Sequence, residues 1–299
     1  MTARPTLENW MSILALGFIW GGTFMVVSVA LRGYGPVTVA AARTGLGALA
    51  MLSLMLLLRR RWPRDRMVWV YGVLTGITTS ALPFFLLSWG QQYVPSAFAG
   101  LSMAALPLFV LPLAHLFSDE PLSARKALGV TLGFIGALVL IGPGVLQIAE
   151  DRFEALGQIA CVLAAFSYAT GSILTRRCPP VDAITLATIT LGVGAVILVP
   201  LMLIFEGLPR PVGGLPDLSI IFLGLIPTAL AALIRVRVVQ TAGSVFMTLV
   251  NYQVPVWSMV FGAALLGEEL PLRFFAALAL ILLGLAISQV RQVGALLRA

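Results

Sequence analysis

The stretch PLFVLPLAHLFSDEPLSARKALGVTLGFIG at residues 107–136 returns as PVWSMVFGAALLGEELPLRFFAALALILLG at residues 255–284. The offset is 148 positions, and the coinciding residues include types that are scarce in so apolar a chain. These coincidences are Pro107 with Pro255, Glu120 with Glu268, Arg125 with Arg273, and Gly136 with Gly284. Self-similarity at a fixed offset indicates an internal structural repeat. We therefore predict a single domain over residues 1–299, with repeats at about 1–148 and 149–299.

The composition indicates a protein that is embedded in lipid. Sixty per cent of the residues are hydrophobic, 10% are charged, and the mean hydropathy is +1.02. No soluble domain of this length has such a composition. The net charge of +7 lies in short loops between apolar runs, which fits anionic lipid head groups better than nucleic acid. With two cysteines and one histidine, neither a disulfide framework nor a metal site is expected.

A helix that crosses the hydrocarbon core needs about 20 apolar residues, and the sequence contains ten such segments. The predicted spans are 10–31, 36–58, 67–88, 96–117, 123–142, 156–175, 182–205, 216–236, 244–266 and 271–290. Five spans per repeat is an odd number, so the second repeat enters the membrane from the opposite side. The predicted fold is an all-α polytopic membrane protein of two inverted five-helix repeats. Such repeats surround a site that opens alternately to two compartments, which indicates a small transporter.

Basic residues are divided unequally between the two ends of these spans. One set of alternate segments carries fourteen: Arg4, Arg59, Arg60, Arg61, Arg64, Arg66, Arg125, Lys126, Arg176, Arg177, Arg235, Arg237, Arg291 and Arg298. The opposite set carries four: Arg32, Arg152, Arg210 and Arg273. By the positive-inside rule, both termini are expected in the cytoplasm.

The carboxylates avoid the middle of the predicted spans. All twelve Asp and Glu residues lie at span ends or in loops. Ion-coupled transporters commonly keep an ionisable group near the midplane. We therefore expect transport down the substrate's own gradient or with weak coupling. A sodium site built from backbone carbonyls is the open alternative.

Two aromatic residues with polar tips lie at equivalent midpoints of the repeats, Trp20 in the first span and Tyr168 in the sixth. They would either form the walls of a substrate cavity or pack between helices with their polar tips bonded across. In the second span, Arg43 is a possible partner for a substrate carboxylate. The alternative, which we favour, is that Arg43 snorkels to the outer head groups or braces a neighbouring helix, because its repeat mate is Leu191.

Polar residues near the middle of other spans are further candidates for the substrate cavity. Asn251 and Tyr252 lie in the ninth span, and the equivalent stretch of the fourth holds Ser102 and Met103. A buried amide needs a partner, which either a substrate or another helix would supply. Weaker candidates are Thr79 and Ser80 of the third span, since hydroxyl groups can bond to their own helix.

Prolines and two loop glutamates complete the set of candidate residues. Pro83, Pro107, Pro112, Pro227 and Pro255 fall inside spans three, four, eight and nine. Each removes a backbone hydrogen bond and favours a kink, which would suit gating elements. Glu120 and Glu268 stand in matching loops, where we expect a structural role. Each would satisfy N–H groups at the start of the following helix or pair with a nearby Arg.

An intramembrane enzyme is the main rival from another class. Gly100-Leu101-Ser102 has part of a serine-protease pattern. His115, thirteen residues further along the same helix, would be about 20 Å away. The sequence contains no GxxxxGK[ST] phosphate loop and no HExxH motif, so neither ATP-driven transport nor zinc chemistry is expected. A passive channel stays open.

Taken together, these residues resemble the EamA branch of the drug/metabolite transporter superfamily. The resemblance covers essentially the whole chain and rests on Trp20-Gly21, on Arg43, on the basic residues 59–61 and on the repeated unit that opened this section. The second half departs from it, with Tyr168-Ala169 in place of the Trp-Gly step and no counterpart of Arg43.

Within the superfamily, the chain most resembles the bacterial exporters of aromatic and other neutral amino acids (the YddG type). The resemblance implies export across the inner membrane and no cofactor. It further implies a cavity between the repeats, lined by spans three, four, eight and nine with one and six nearby. The expected partners are a small-molecule substrate and lipid, with no nucleic acid and no ATP, in a monomer or weak dimer. Export of lipophilic cations by the same fold is the alternative.

Overall fold

The computed structural model describes residues 5–117, 123–142 and 152–298. Within these ranges the chain forms ten membrane helices and no strand. They are α1 (Leu7–Ala30), α2 (Pro36–Leu57), α3 (Arg66–Gly90), α4 (Ser96–Phe117), α5 (Ala124–Ile141), α6 (Arg152–Arg177), α7 (Ala183–Phe205), α8 (Leu215–Ala242), α9 (Ser244–Met247, then Val250–Leu266) and α10 (Leu272–Arg298). Among the described residues, α1 to α8 are long and apolar enough to cross a membrane, and the apolar parts of α9 and α10 are shorter. Glu120 lies outside the described residues.

Several helix starts follow directly from the local sequence. Thr6 and Asn9 form a reciprocal capping box at the start of α1. The side chains of Asp65 and Asp182 accept backbone N–H groups in the first turns of α3 and α7. Pro36 occupies the first position of α2, where its fixed φ and missing N–H cost nothing. These caps satisfy donors that have no partner within the helix itself.

The predicted end of the eighth span was wrong. The sequence placed it at 236, but α8 continues to Ala242. Arginine ends a hydropathic stretch without ending a helix, since its helix propensity is high. Arg237 instead forms an ion pair with Glu8, with 2.6 Å between nitrogen and oxygen. The connection to α9 is then Gly243, whose φ of +89° is readily adopted by glycine alone.

The same pattern of helix packing occurs in both halves of the chain. The α2/α7 pair and the α5/α10 pair each join equivalent helices of the two repeats. In the same way, α1 packs against α8 and α9, and its equivalent α6 packs against α3 and α4. The first helix of each repeat therefore lies against helices of the other repeat, so the two halves share one core.

Glycines allow α5 and α10 to approach closely. A Cβ on Gly129 would lie 2.4 Å from the carbonyl oxygen of Gly284, and one on Gly284 would lie 2.5 Å from that of Gly129. Gly136 makes a similar approach to Ile281. The Gly129-x-x-x-Gly133 step therefore serves packing within the chain, as small residues do at membrane helix interfaces.

Helix irregularities occur at matching places in the two repeats. A π-helical segment at Ile77–Ala81 in α3 has its counterpart at Leu225–Leu230 in α8, starting 148 positions later. In α4 the helix tightens to a 3₁₀ turn at Met103–Ala105, and α9 is interrupted after Met247. Pro227 lies inside its π segment whereas Pro83 follows the other one, so the two irregularities match although the prolines do not. Pro112 lies within the continuous second half of α4.

Candidate functional site

Arg43 is buried at the middle of the bundle, on α2. Its side chain is 8% exposed, and its Nε–H donates to Thr228 Oγ1 on α8 at 3.0 Å. The guanidinium carbon lies 3.9 Å from the centre of the Phe84 ring of α3, within cation–π range. The Tyr168 hydroxyl of α6 is close enough for an electrostatic interaction with Arg43. Four helices thus meet at one cation.

Among the described residues, the cation has no acidic partner. Over the described ranges no carboxylate forms an ion pair with Arg43, and a buried charge is normally paired or neutralised. Of the two alternatives for its structural role, the geometry has Arg43 bracing α8 rather than snorkelling to the outer surface. The hydrogen bond uses one of its five donors, which leaves the remaining N–H groups for another acceptor.

The π segments expose backbone carbonyls that the opposite repeat satisfies. The indole N–H of Trp20 on α1 donates to the Pro227 carbonyl in α8, at 3.1 Å. At the corresponding place, the Ser167 hydroxyl on α6 donates to the Thr78 carbonyl in α3, at 2.9 Å. A π turn displaces the regular ladder and leaves such groups without helical partners. The first helix of each repeat therefore anchors the irregular helix of the other.

A second cation faces the interior from α8. Ala231, Val238 and Ala242 lie on one stripe of this helix and are at most 3% exposed. Arg235 falls on the same stripe by helical spacing, yet its side chain is exposed. Along the helix axis, Arg235 is about 10 Å from Thr228.

The other predicted site residues divide into three groups: residues that pack against apolar clusters, hydroxyl residues of α3 and α4, and the two residues of α9. Trp20 and Met103 pack against one apolar cluster, and Tyr168 packs against that cluster and a second one, so it joins the two. Ser102 and Thr79 donate their hydroxyl groups to carbonyls of their own helices, and Ser80 is buried against Gly194 of α7.

Tyr252 lies apart from this group. It packs with Phe109 and Phe134 in a separate cluster between α4, α5 and α10, and its buried hydroxyl has no hydrogen-bond partner in the part of the chain that the structure describes. Asn251 is half-buried at the start of the long segment of α9. Tyr252 therefore packs in a different cluster from Trp20 and Tyr168.

Two glutamates tie the repeats together at the end of the bundle opposite the arginine-rich loops. Glu206, after α7, accepts the N–H groups of Val37 and Thr38 at 2.9 and 2.8 Å. Glu268, after α9, accepts those of Ser96 and Ala97 at 2.7 and 2.9 Å. Glu268 was expected to serve the start of the following helix, but it caps α4 because the α9–α10 turn lies against that helix end.

A third contact at the same end involves a tyrosine. The Tyr34 hydroxyl donates to Asp217 Oδ1 at 2.5 Å, joining the α1–α2 turn to the first turn of α8. This hydrogen bond to a carboxylate raises the pKa of Tyr34 above its ordinary value, because ionisation would place two negative charges together. With Glu206 and Glu268, it makes three cross-repeat links at this end.

Sequence reasoning missed Phe84, Thr228 and Arg235. Thr228 is the repeat mate of Ser80, a residue that was a candidate, so the repeat itself carried a usable signal. Phe84 resembled any apolar residue of a span, and Arg235 was counted only among the basic residues at the end of the eighth span. No group of three or more His, Cys, Asp or Glu residues in the described ranges could hold a metal ion.

This architecture defines the class of protein: a multi-pass membrane transporter built from ten helices. The sequence profile of the EamA-like transporter family matches residues 10–142 and again 155–289. The chain belongs to this family, which lies within the drug/metabolite transporter superfamily.

Curated relatives match over nearly their whole length. The uncharacterized transporter YoaV of Bacillus subtilis is 22% identical over 92% of this chain and 94% of its own. The uncharacterized inner membrane transporter YedA of Escherichia coli is 26% identical over 90% and 87%. A probable terminal-alkyne amino-acid exporter of Streptantibioticus cattleyicolor is 26% identical over 88% and 86%. A crystal structure that is 21% identical superposes with a TM-score of 0.67, covering 96% of this chain and 99% of the other, and shares the fold.

Proposed function

We propose that this transporter exports neutral amino acids, aromatic ones among them, across the bacterial cytoplasmic membrane by alternating access between its two repeats. The observation that carries the proposal is the Arg43 guanidinium, buried at mid-depth beside an aromatic ring and without a carboxylate partner in the described helices. A substrate carboxylate is the acceptor that best complements such a donor.

The neighbouring side chains suit the rest of such a substrate. Trp20, Phe84 and Tyr168 offer ring faces on which an aromatic or branched side chain would stack. Arg235, an exposed residue of α8 that lies toward the arginine-rich end, would attract the carboxylate as it enters from that side. The arginine-rich end is expected in the cytoplasm, so a substrate from that side would meet Arg235 before Arg43. This order favours export.

The alternative substrate class, lipophilic cations, is less well supported. Cation sites in membranes rely on buried acids or on aromatic faces free of competing positive charge. Here the aromatic ring of Phe84 is already occupied by Arg43. In the described membrane helices, carboxylates occur only in first turns, at Glu8, Glu154 and Asp217.

The same distribution of acids supports transport without ion coupling. A proton-coupled carrier needs a group that changes protonation near the substrate. The remaining described carboxylates cap helices or lie in turns, as Glu206 and Glu268 do. The name of the Streptantibioticus relative as an amino-acid exporter supports the substrate class, and a single chain contains the whole proposed path, so a monomer would suffice.

The test is flux through the purified protein in liposomes. A panel of labelled substrates would contain phenylalanine, tryptophan, leucine, lysine, glutamate and tetraphenylphosphonium. We expect saturable counter-transport of the large neutral amino acids, with no accumulation driven by an imposed pH or sodium gradient. Passage of tetraphenylphosphonium without amino acids would instead select the cation exporter, and uphill accumulation in a gradient would refute uncoupled transport.

A further inference from the structure

A cavity of about 350 Å³ opens at the end of the bundle opposite the arginine-rich loops. It lies where α4, α6 and α10 begin, and it mixes apolar walls with charged groups. Its lining includes Phe98, Leu270 and Phe274 on the apolar side. Gln158 lies about 15 Å along α6 from Tyr168, so this cavity is separate from the Arg43 constellation. The volume is within the range of small-molecule sites.

Four polar groups line the cavity, and two of them are incompletely satisfied. Gln158 is 1% exposed. Its Nε2 donates to Glu154 Oε1 at 3.0 Å, while its buried Oε1 accepts no hydrogen bond from any described residue. The buried Nε–H of Arg273 likewise has no acceptor among the residues that the structure describes. Buried polar atoms in native proteins are nearly always paired, so these two atoms indicate a missing partner.

A single molecule that pairs with both atoms would carry both kinds of group. Gln158 Oε1 needs a donor, and the carboxylates of Glu154 and Glu269 beside the cavity favour a positively charged one. Arg273 needs an acceptor, and its guanidinium favours a negatively charged one. A molecule with an ammonium and a carboxylate on the same carbon, plus an apolar side chain for the Phe98 and Phe274 walls, meets all three requirements.

The equivalent position in the other repeat is filled, so the fold by itself does not create the cavity at Gln158. The repeat mate of Gln158 is Trp10, and that of Phe98 is Phe246. Trp10 packs edge-to-face on Phe246 with ring centres 4.9 Å apart, so an indole fills the space that Gln158 leaves open. An amide in place of an indole at the equivalent position both creates the cavity and equips it with an acceptor.

We propose that this cavity is a binding site for a zwitterionic amino acid with an apolar side chain, at the outer end of the transporter. Its ammonium donates to Gln158 Oε1 near Glu154 and Glu269, and its carboxylate accepts from Arg273. The inference rests on the proposed function for its substrate class. It adds a second, outer binding position between the central constellation and the medium, where the exported molecule is held before release or rebinds from outside.

The test is binding of labelled L-leucine to the full-length protein in nanodiscs of phosphatidylglycerol. Two variants remove the site: Gln158→Trp fills it as the other repeat does, and Arg273→Gln removes the cation. The matched control is Gln92→Leu, which changes an exposed glutamine at the same end of the bundle. We expect the wild type and the control to bind two leucines per chain, and both site variants to bind one. Leucine methyl ester, which lacks the carboxylate, should not compete at the outer site.

Unchanged stoichiometry in both variants would overturn the proposal, and if Gln158→Trp does not fold, Arg273→Gln decides alone. A lipid head group shares the zwitterionic chemistry. If added phosphatidylethanolamine displaces the Gln158-dependent leucine and is itself retained, the occupant is lipid and the amino-acid assignment fails. Leucine flux through the liposomes separates the two proposals. If leucine is transported but its binding does not depend on Gln158, only the outer binding site is refuted. If binding depends on Gln158 but leucine is not transported, only the proposed exporter function is refuted.

Discussion

The carboxylate of Glu268 accepts the N–H of Ser96 at 2.7 Å, across 172 positions of sequence. The other carboxylate oxygen accepts from Ala97 at 2.9 Å. A residue of the second repeat thus provides the cap that α4, a helix of the first repeat, does not supply itself, because its own N-cap residue is Pro95. Helix starts carry unsatisfied donors and a partial positive charge, which a carboxylate complements.

Glu268→Gln should therefore destabilise the junction of the repeats. Replacement by an amide keeps the shape but removes the charge from both hydrogen bonds, which we expect to cost about 1–2 kcal/mol. The measurement is thermal unfolding in detergent, with a transition lowered by a few degrees. Glu269→Gln is the control, since Glu269 is its exposed neighbour. Equal transitions for both variants would contradict a capping role.

The close approach of α5 and α10 gives a second prediction. In Gly129→Ala the new methyl would lie 2.4 Å from the Gly284 carbonyl oxygen. This oxygen belongs to the backbone, so it cannot rotate away from the methyl as a side-chain atom could. We expect a loss of about 1–3 kcal/mol, typical of overpacking, seen as a lower yield of monodisperse protein. Gly45→Ala, with nothing within 4 Å of the new methyl, should be neutral or slightly stabilising. A stable Gly129→Ala protein would show that the helices can separate without cost.

Hydropathy located the ten helices well, because crossing hydrocarbon demands a minimum length of apolar chain. The π segments at 77–81 and 225–230 were not predicted, since hydrogen-bond register leaves no trace in the count of apolar residues. Sequence also found Trp20, Arg43 and Tyr168 as unusual residues at mid-span. It did not find Phe84, because the contact of this ring with Arg43 follows from which helices pack together.

The Gln158 cavity escaped sequence reasoning for a related reason. A glutamine near the start of a predicted span resembles an interfacial residue, and its significance comes from comparison with Trp10 once both environments are known. The division of the chain near residue 148 and the orientation of its ends stay predictions that rest on the repeat and on the arginine distribution.

Orientation can be checked by reporter fusions. Alkaline phosphatase and a green fluorescent protein would each be attached to the N-terminus and to the C-terminus, after Ala299. We expect fluorescence and no phosphatase activity at both ends, since ten spans return the chain to the cytoplasmic side. A phosphatase-active fusion at one end alone would require an odd number of spans and exclude the inverted five-plus-five arrangement.

Helix irregularity in α4 and α9 leads to a kinetic prediction. Pro107 follows the 3₁₀ turn of α4, and Pro255 lies within α9 after its interruption. Replacing either with Ala restores a possible backbone hydrogen bond and should stiffen the helix. If these helices move during the transport cycle, Pro107→Ala and Pro255→Ala should slow counter-transport several-fold with little change in substrate affinity. Pro5→Ala, outside the membrane helices, is the control. Unaltered rates would remove the gating role from both prolines.

Arg43→Gln tests the centre of the proposed site. The amide can still donate to Thr228, so the brace between α2 and α8 is partly kept while the charge is lost. A charge-assisted hydrogen bond contributes about 1.5–3 kcal/mol, so leucine affinity should fall by about 10- to 100-fold. Arg237→Gln, which alters an exposed ion pair with Glu8, should retain wild-type affinity. A structural role alone would lower thermal stability and leave affinity intact in the folded fraction. The decisive comparison is between leucine and the amine that has the same side chain but no carboxylate. If Arg43 binds the carboxylate, wild type should discriminate strongly between leucine and this amine, and Arg43→Gln should not.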